Sequence, residues 1–363
     1  MSIVSDLAVV HPWLGEKAGS ERVLLEILDA YPDAPLSLLW HEKRVWTEVL
    51  GKRRVLHSPL QNIPLIQKNY RALIPFLGPW AVSRLPVPPV KTVLSNCHGF
   101  AKGAILWEGS KHICYCYSPI RWLSDQKGEY RKSLPSWKRQ LFDKVSPRVA
   151  AWEDRAAAGV DQWIAISQFV ARRIKRRFGF ESEVITPPVN TSFFTPKKER
   201  KRDLGYLLVS RLVPYKRVGT AVEAFSQSQR ALTVVGKGDG GALARTFRGK
   251  LRLLDSVSDI ALRDLYRRAK ALIFTSVEDF GLVPLEAMAC GTPVIALGKG
   301  GALETVVQNE TGLFYGQDSP EALREALDNF EDQEWDQQAC RERALCFSIE
   351  KFLPALAGVI EEA

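Results

Sequence analysis

The chain has 363 residues, of which 46% are hydrophobic and 25% charged, and its formal net charge is +9. That length accommodates two domains of ordinary size, each able to build a core without disulfide staples. No apolar run reaches the ~18 residues that a membrane-spanning helix needs.

Residues 7–11 form a short apolar strand. Asp6 and His11 lie in that first apolar stretch and no basic region precedes it, so a strand is expected rather than a signal peptide. A helix over 21–30 follows, then strands over 36–40, 92–95, 113–117, 163–167 and 183–186. Long helical stretches lie between them, notably 137–158. The apolar stretch 72–87, which contains Trp80, fits either a core helix interrupted by prolines or a membrane-proximal surface. Charge is densest in Arg172, Arg173, Lys175, Arg176 and Arg177, on an amphipathic helix whose apolar side carries Phe169, Val170, Ile174 and Phe178. Such a face is either plainly solvated or a contact for anionic lipid. No nucleic-acid-binding module accompanies the positive charge, so no nucleic-acid partner is expected.

The clearest break runs from Pro187-Pro188 to Arg202, where prolines and a run of cations interrupt regular structure. Residues 188–202 are expected to link a domain over 1–187 to one over 203–346. The second half alternates plainly. Strands are expected over 206–209, 231–235, 251–254, 271–275 and 293–297, and helices over 218–226, 259–269, 284–289, 304–307 and 320–330. Short apolar strands alternating with helices specify a parallel sheet covered on both faces. The six cysteines include no Cys-x-x-Cys pair, and Cys114 and Cys116 alternate along a strand, which favours buried free thiols over a zinc site.

Ligands of such sheets bind beyond the carboxyl ends of the strands, so loops that follow strands are the places to look. The stretch 278–287 reads Glu-Asp-Phe-Gly-Leu-Val-Pro-Leu-Glu-Ala. Proline suits the first turn of a helix, and the free amides at a helix start bind anions or hydroxyls. Glu278 and Glu286 are placed to face one ligand; alternatively, Glu286 only complements the helix dipole. Arg211 follows a strand and Lys216 opens the next helix. Two cations there suit a diphosphate, since a helix N-terminus disfavours cations unless an anion is bound. Gly298-Lys299-Gly300-Gly301 opens a phosphate-sized space or makes a tight turn. Gly236 to Gly241 superficially suggests a dinucleotide fingerprint, but it follows the second strand of its unit with the wrong spacing. In the first half, Ala18-Gly19-Ser20-Glu21 is anion-ready, and His98 follows a strand as a structural or a functional residue. No Asp-x-Asp pair occurs to hold a bridging metal.

Together these motifs resemble glycosyltransferase family 4, the retaining enzymes of the GT-B fold. The likeness is strongest over 207–314. The resemblance implies an α/β chain of two facing Rossmann-like domains with parallel sheets and an interdomain cleft, and a segment over 347–363 packing back on the first domain. It implies catalytic roles for Glu278, Arg211, Lys216 and His98. Donor contacts would come from Gly19, Phe280, Gly281, Leu282, Val283, Glu286, Gly300 and Gly301, with no metal and no cofactor beyond a nucleotide-sugar co-substrate. Cys116-Tyr117-Ser118-Pro119-Ile120-Arg121-Trp122, Ile185-Thr186-Pro187-Pro188-Val189 and Gly300-Gly301-Ala302-Leu303-Glu304-Thr305 resemble bacterial mannosyltransferases that use GDP-mannose in O-antigen and exopolysaccharide assembly. The implied acceptor is a saccharide or lipid-linked glycan, and the implied location is cytoplasmic, peripheral at the inner membrane face. The family often has Gly-Gly in the first loop, where this chain has Ala18-Gly19, and the neighbours of His98 also depart from the pattern. A UDP- or dTDP-sugar donor, a non-catalytic sugar-nucleotide-binding scaffold and an NAD-dependent oxidoreductase are the rival readings.

Overall fold

The structure is a computed structural model that describes residues 6–15, 19–64, 66–124, 127–197, 201–247 and 249–362. The chain divides into two compact units. The first comprises the chain through Ile185 together with the segment from Leu353 onward; the second is Thr186–Phe352.

The first unit contains β1 (Leu7–Leu14), α1 (Gly19–Ala30), β2 (Leu36–His41), α2 (Lys43–Leu50), β3 (Val55–His57), α3 (Ile66–Ser83), β4 (Thr92–Cys97), β5 (Lys111–Cys116), α4 (Lys127–Ser133), α5 (Ser136–Ala158), β6 (Gln162–Ala165), α6 (Gln168–Phe178) and β7 (Glu183–Val184). Its seven strands are all parallel, in the order β3-β2-β1-β4-β5-β6-β7. The central strands β2 and β4 are buried along their whole length, as expected of a sheet covered on both faces.

The second unit contains β8 (Gly205–Val209), α7 (Val218–Ser226), β9 (Ala231–Val235), α8 (Gly240–Thr246), β10 (Lys250–Leu254), α9 (Asp259–Arg268), β11 (Ala269–Phe274), α10 (Leu282–Ala289), β12 (Val294–Leu297), α11 (Ala302–Thr305), β13 (Gly312–Tyr315), α12 (Pro320–Glu331) and α13 (Gln337–Leu345). A last helix, α14 (Ile349–Glu361), begins in the second unit and ends in the first. The six strands are parallel, in the order β10-β9-β8-β11-β12-β13. One apolar cluster, including Leu208, Phe225, Ile273, Ile295 and Leu327, fills the side of the sheet under α7 and α12. Helix starts carry the expected caps: Ser258 and Ser319 accept from Ala261 N and Ala322 N, each at 3.2 Å, and Pro320 opens α12.

Each sheet reverses its winding once, between β1 and β4 in the first unit and between β8 and β11 in the second. At such a point the loops after the two adjacent strands run to opposite sides and leave a crevice, where ligands of open α/β sheets bind.

Several expectations need correction. Residues 189–194, expected within a linker, pack inside the second unit. Val189 and Phe194 are buried, Val189 N donates to Phe347 O at 2.9 Å, and the Arg341 guanidinium donates to Thr191 O and Phe194 O. Prolines stop regular structure there without freeing the chain, because a side chain supplies the donors that the backbone lacks. The stretch 72–87, expected either as a core helix interrupted by prolines or as a membrane-proximal surface, falls largely within the single helix α3, which runs on through Pro75 and Pro79. The short elements α2, β3, α8, β13 and α13 were not anticipated.

Candidate active site

In the second unit the loop after β8 holds Arg211 and Lys216, and the loop after β11 holds Glu278. Because β8 and β11 are neighbours at the winding reversal, these loops meet although more than sixty residues separate them. Thr275 Oγ1 donates to Lys216 O at 2.7 Å, tying the loops together. The Lys216 ammonium forms an ion pair with the Glu278 carboxylate, both largely buried. Lys216 ends a 3-10 turn, Pro214–Lys216, rather than opening α7, so its charge is balanced by Glu278 before any ligand arrives. An ammonium has three donors, so pairing with Glu278 leaves capacity for a phosphate oxygen.

Tyr215, between the two cations, contacts both. Its hydroxyl accepts from Arg211 Nη2 at 2.6 Å, and the Lys216 ammonium lies 5.4 Å from its ring centroid. Tyr215 was not singled out in the sequence, although its place between two cations was the available signal. Arg217 is turned to a different partner, Asp318, at 2.7 Å.

The loop after β12 closes against the Glu278 loop. Gly301 N donates to Glu278 O at 2.9 Å, so this amide is engaged within the protein. A Cβ on Gly301 would sit 2.3 Å from Phe280 Cα, and one on Gly300, whose φ is +70°, 2.6 Å from Glu278 O. These glycines are required by the approach of two backbones, and in this way they hold Glu278 and Phe280 in place. Helix α10 begins at Leu282, two residues earlier than the proline suggested, with Gly281 before it. The first amides of α10, from Leu282 and Val283, therefore point out of the helix start.

The earlier start moves Glu286 past the first turn and removes the bland dipole role. Glu286 is buried and accepts from the Tyr266 hydroxyl at 2.9 Å. Tyr266 lies on the buried side of α9, and a buried phenol needs a hydrogen-bond partner, the one sequence signal that could have pointed to this pair. The glycine-rich stretch from Gly236 also has a packing cause. A Cβ there would lie 1.7 Å from Ser210 O, so glycine lets neighbouring loops touch.

In the first unit His98 directly follows β4 at the other winding reversal. Its ring lies 4.6 Å from Trp13, 5.2 Å from His11 and 6.3 Å from Tyr117. Burial, reinforced by the Lys102 charge, pushes His98 down to about 4, so it is neutral at pH 7. His98 Nδ1 and His11 Nε2 are buried without a hydrogen-bond partner among the described residues. Gly19 is the first residue of α1; Ala18 beside it lies outside the described residues. Beneath this edge Lys102 is fully buried and donates to Glu153 Oε1 at 2.9 Å and to Gly99 O at 2.7 Å. Burial alone would lower its affinity for the proton, but Glu153 more than offsets this and holds Lys102 above its ordinary range.

The basic helix α6 is largely engaged within its own unit. Arg173 bonds Ser118, Lys175 pairs with Glu181, and Arg177 pairs with Asp154. Among the described residues no helix is long and apolar enough to cross a membrane.

Residues 190–345 match the family model described as glycosyl transferases group 1. A GDP-mannose-dependent monoacylated alpha-(1-6)-phosphatidylinositol monomannoside mannosyltransferase of Corynebacterium glutamicum is 33% identical over 202 residues, covering 46% of this chain and 52% of its own. A D-inositol 3-phosphate glycosyltransferase of Streptomyces bingchenggensis is 30% identical over 202 residues, covering 46% of this chain and 44% of its own. The chain thus spans about half the length of the curated relatives it matches. The crystal structure of Anabaena Alr3699/HepE in complex with UDP and glucose superposes with a TM-score of 0.68 at 17% identity, covering 98% of this chain and all of that one. WaaG, a glycosyltransferase involved in lipopolysaccharide biosynthesis, gives 0.68 at 16% identity over 98% of this chain and 99% of that one. The fold of the chain is that of GT-B glycosyltransferases.

Proposed function

We propose that the chain is a retaining glycosyltransferase moving a hexose from a nucleotide-sugar donor to a saccharide or lipid-linked glycan, a reading supported by the match of residues 190–345 to the glycosyl transferases group 1 model. The observation that carries the reading is the meeting of Arg211, Lys216 and Glu278 at the winding reversal of the second sheet, beside the start of α10. Arg211 and Lys216 take the donor diphosphate. As the glycosidic bond breaks, negative charge grows on the leaving diphosphate, and two cations held in place beforehand stabilise it without reorganisation. The cations do the work that a bridging metal would otherwise do.

Glu278 positions Lys216 and faces the sugar. The Phe280–Val283 backbone, held by Gly300 and Gly301, offers the amides of the α10 start to sugar and phosphate oxygens. Glu286, fixed by Tyr266, accepts from the ribose hydroxyls. His98 and the Gly19 loop serve the acceptor side, where a neutral imidazole can exchange hydrogen bonds with hydroxyls but does not compete for the diphosphate.

GDP-mannose is the proposed donor, supported by the printed name of the Corynebacterium relative and by the subgroup motifs. UDP-glucose is the second reading, because HepE was crystallised with UDP and glucose. The proposed setting is the inner face of the cytoplasmic membrane. A thermal-shift panel of GDP-mannose, UDP-glucose, UDP-N-acetylglucosamine and dTDP-rhamnose tests the donor. Stabilisation by GDP-mannose above the others is expected. Equal or no response to all four, with no donor hydrolysis, would instead favour a non-catalytic scaffold.

A further inference from the structure

The first unit contains an apolar cavity of about 520 Å³ on the face formed by α3, α4 and α5. Its walls include Phe76, Trp122, Tyr130, Leu141, Phe142 and Val145. Trp122, Tyr130 and Phe142 pack on one another with ring centroids 5.5 to 6.2 Å apart, giving one wall a continuous aromatic surface. Phe76 and Leu141 are each 44% exposed, and Trp80 on α3 is 40% exposed nearby in sequence. The cavity size is that of a small-molecule site, and apolar side chains this exposed are normally covered in use.

Two further observations specify the occupant. Between Lys127 and Arg148 the sequence places seven Lys and Arg against two acidic residues, and Lys138 lines the cavity itself. Asp143 is already paired with Arg131 at 2.8 Å, so the margin of this face is net positive. Inside the apolar wall, Ser146 is 1% exposed, and its hydroxyl has no hydrogen-bond partner among the described residues. An apolar chamber with one unsatisfied hydroxyl and a cationic rim complements a hydrocarbon chain that carries an oxygen near its head and an anionic group beyond it.

We propose that this cavity binds the hydrocarbon chain of an anionic lipid, with the chain against Trp122, Tyr130 and Phe142 and the anionic head at the Lys138 rim. The site lies wholly within the first unit and does not depend on the sugar-transfer reading. It differs from adsorption by charge alone, since α6, the most basic helix, has most of its cations engaged.

The test uses the full chain and monoacyl phosphatidylglycerol held below its critical micelle concentration, followed by native mass spectrometry and tryptophan fluorescence. A one-to-one complex is expected, with glycerophosphate failing to bind and monoacyl phosphatidylcholine binding about tenfold more weakly. Phe76→Gln and Leu141→Gln, both at exposed positions that should fold normally, are each expected to weaken binding about tenfold, the loss that follows when a covered apolar side chain becomes polar. The absence of a one-to-one complex, or an affinity in both variants unchanged from that of the unsubstituted chain, would overturn the proposal. So would vesicle binding that disappears in salt and is unchanged by either variant, because that pattern reports surface charge only. GDP-mannose affinity, measured in parallel, reports on the second unit; its failure would count against the transferase reading and leave the lipid site standing.

Discussion

The two units share one architecture but equip equivalent edges differently. At its winding reversal the second unit presents Arg211, Lys216 and Glu278, an arrangement of charge. The first unit presents His98 and His11, rings kept neutral by burial, with nitrogens left unsatisfied. All five histidines of the chain lie in the first unit. A charged edge suits a diphosphate and a neutral, hydrogen-bonding edge suits hydroxyls, so on the proposed reading the same fold would serve two chemistries through the loops that follow its strands. The buried charge of the first unit, Lys102 with Glu153, lies below the edge and is structural.

That contrast can be broken most strongly at Lys102. Replacing it with Met strands the Glu153 carboxylate in the interior and is expected to cost about 3–5 kcal/mol of stability in the first unit. Denaturant unfolding should shift for that unit while nucleotide-sugar affinity of the folded protein persists. Parallel loss of donor binding would show that the two edges are not separable in this way.

Arg211→Ala is next, with an expected loss on the order of 3 kcal/mol of transition-state stabilisation, by analogy with the loss of an oxyanion donor. The check is kcat at saturating donor, and near-unchanged turnover would remove Arg211 from the chemistry. Tyr215→Phe keeps the ring under Lys216 but frees Arg211, and should produce a smaller loss in the same direction.

Acid should act on the first unit selectively. Burial lowers His112, 2% exposed, to about 4 in the folded state, against about 6.5 when unfolded. Above pH 6.5 both states are neutral and the group has no effect. As pH falls below 6.5 the unfolded chain takes up the proton and the folded one does not, so stability drops until about pH 4. At pH 5 the loss from His112 alone is on the order of 2 kcal/mol, and His57, also lowered to about 4, acts in the same direction. Urea unfolding at pH 7.5 and pH 5 with a probe in each unit measures this; equal sensitivity of the two units would contradict it.

Much of this contrast was legible in the chain itself. Short apolar strands such as 231–235 and helices such as 218–226 announce themselves by period and length, and the structure reproduces both spans. Lys216 and Glu278 could be named because each follows a strand. Their ion pair could not, because it depends on β8 and β11 being neighbours, which is a property of strand order rather than local pattern. The same holds for Gly301, whose need for glycine comes from Phe280 across the loop, and for Glu286, whose partner lies on another helix. The four-residue strand β13 and the helix α13 carry too little periodicity to stand out, and α13 matters because Arg343 on it grips Thr305 O at 3.0 Å, supporting the glycine loop from behind.

The smallest expected effect sharpens the Glu286 assignment. Tyr266→Phe removes the donor to a buried carboxylate and should cost about 1 kcal/mol in the second unit. It should also weaken donor binding a few-fold if Glu286 meets the ribose. Lost stability with unchanged donor affinity would make the pair purely structural.

The central claim is that the cations after β8 hold the diphosphate of a nucleotide-sugar donor. Calorimetric titration of GDP into the full chain and into Lys216→Ala tests it most directly. The account predicts saturable one-to-one binding that weakens about tenfold or more in the variant, in line with the loss of a charge-assisted hydrogen bond. Equal affinity in the two proteins, or no binding to either GDP or UDP, would contradict it.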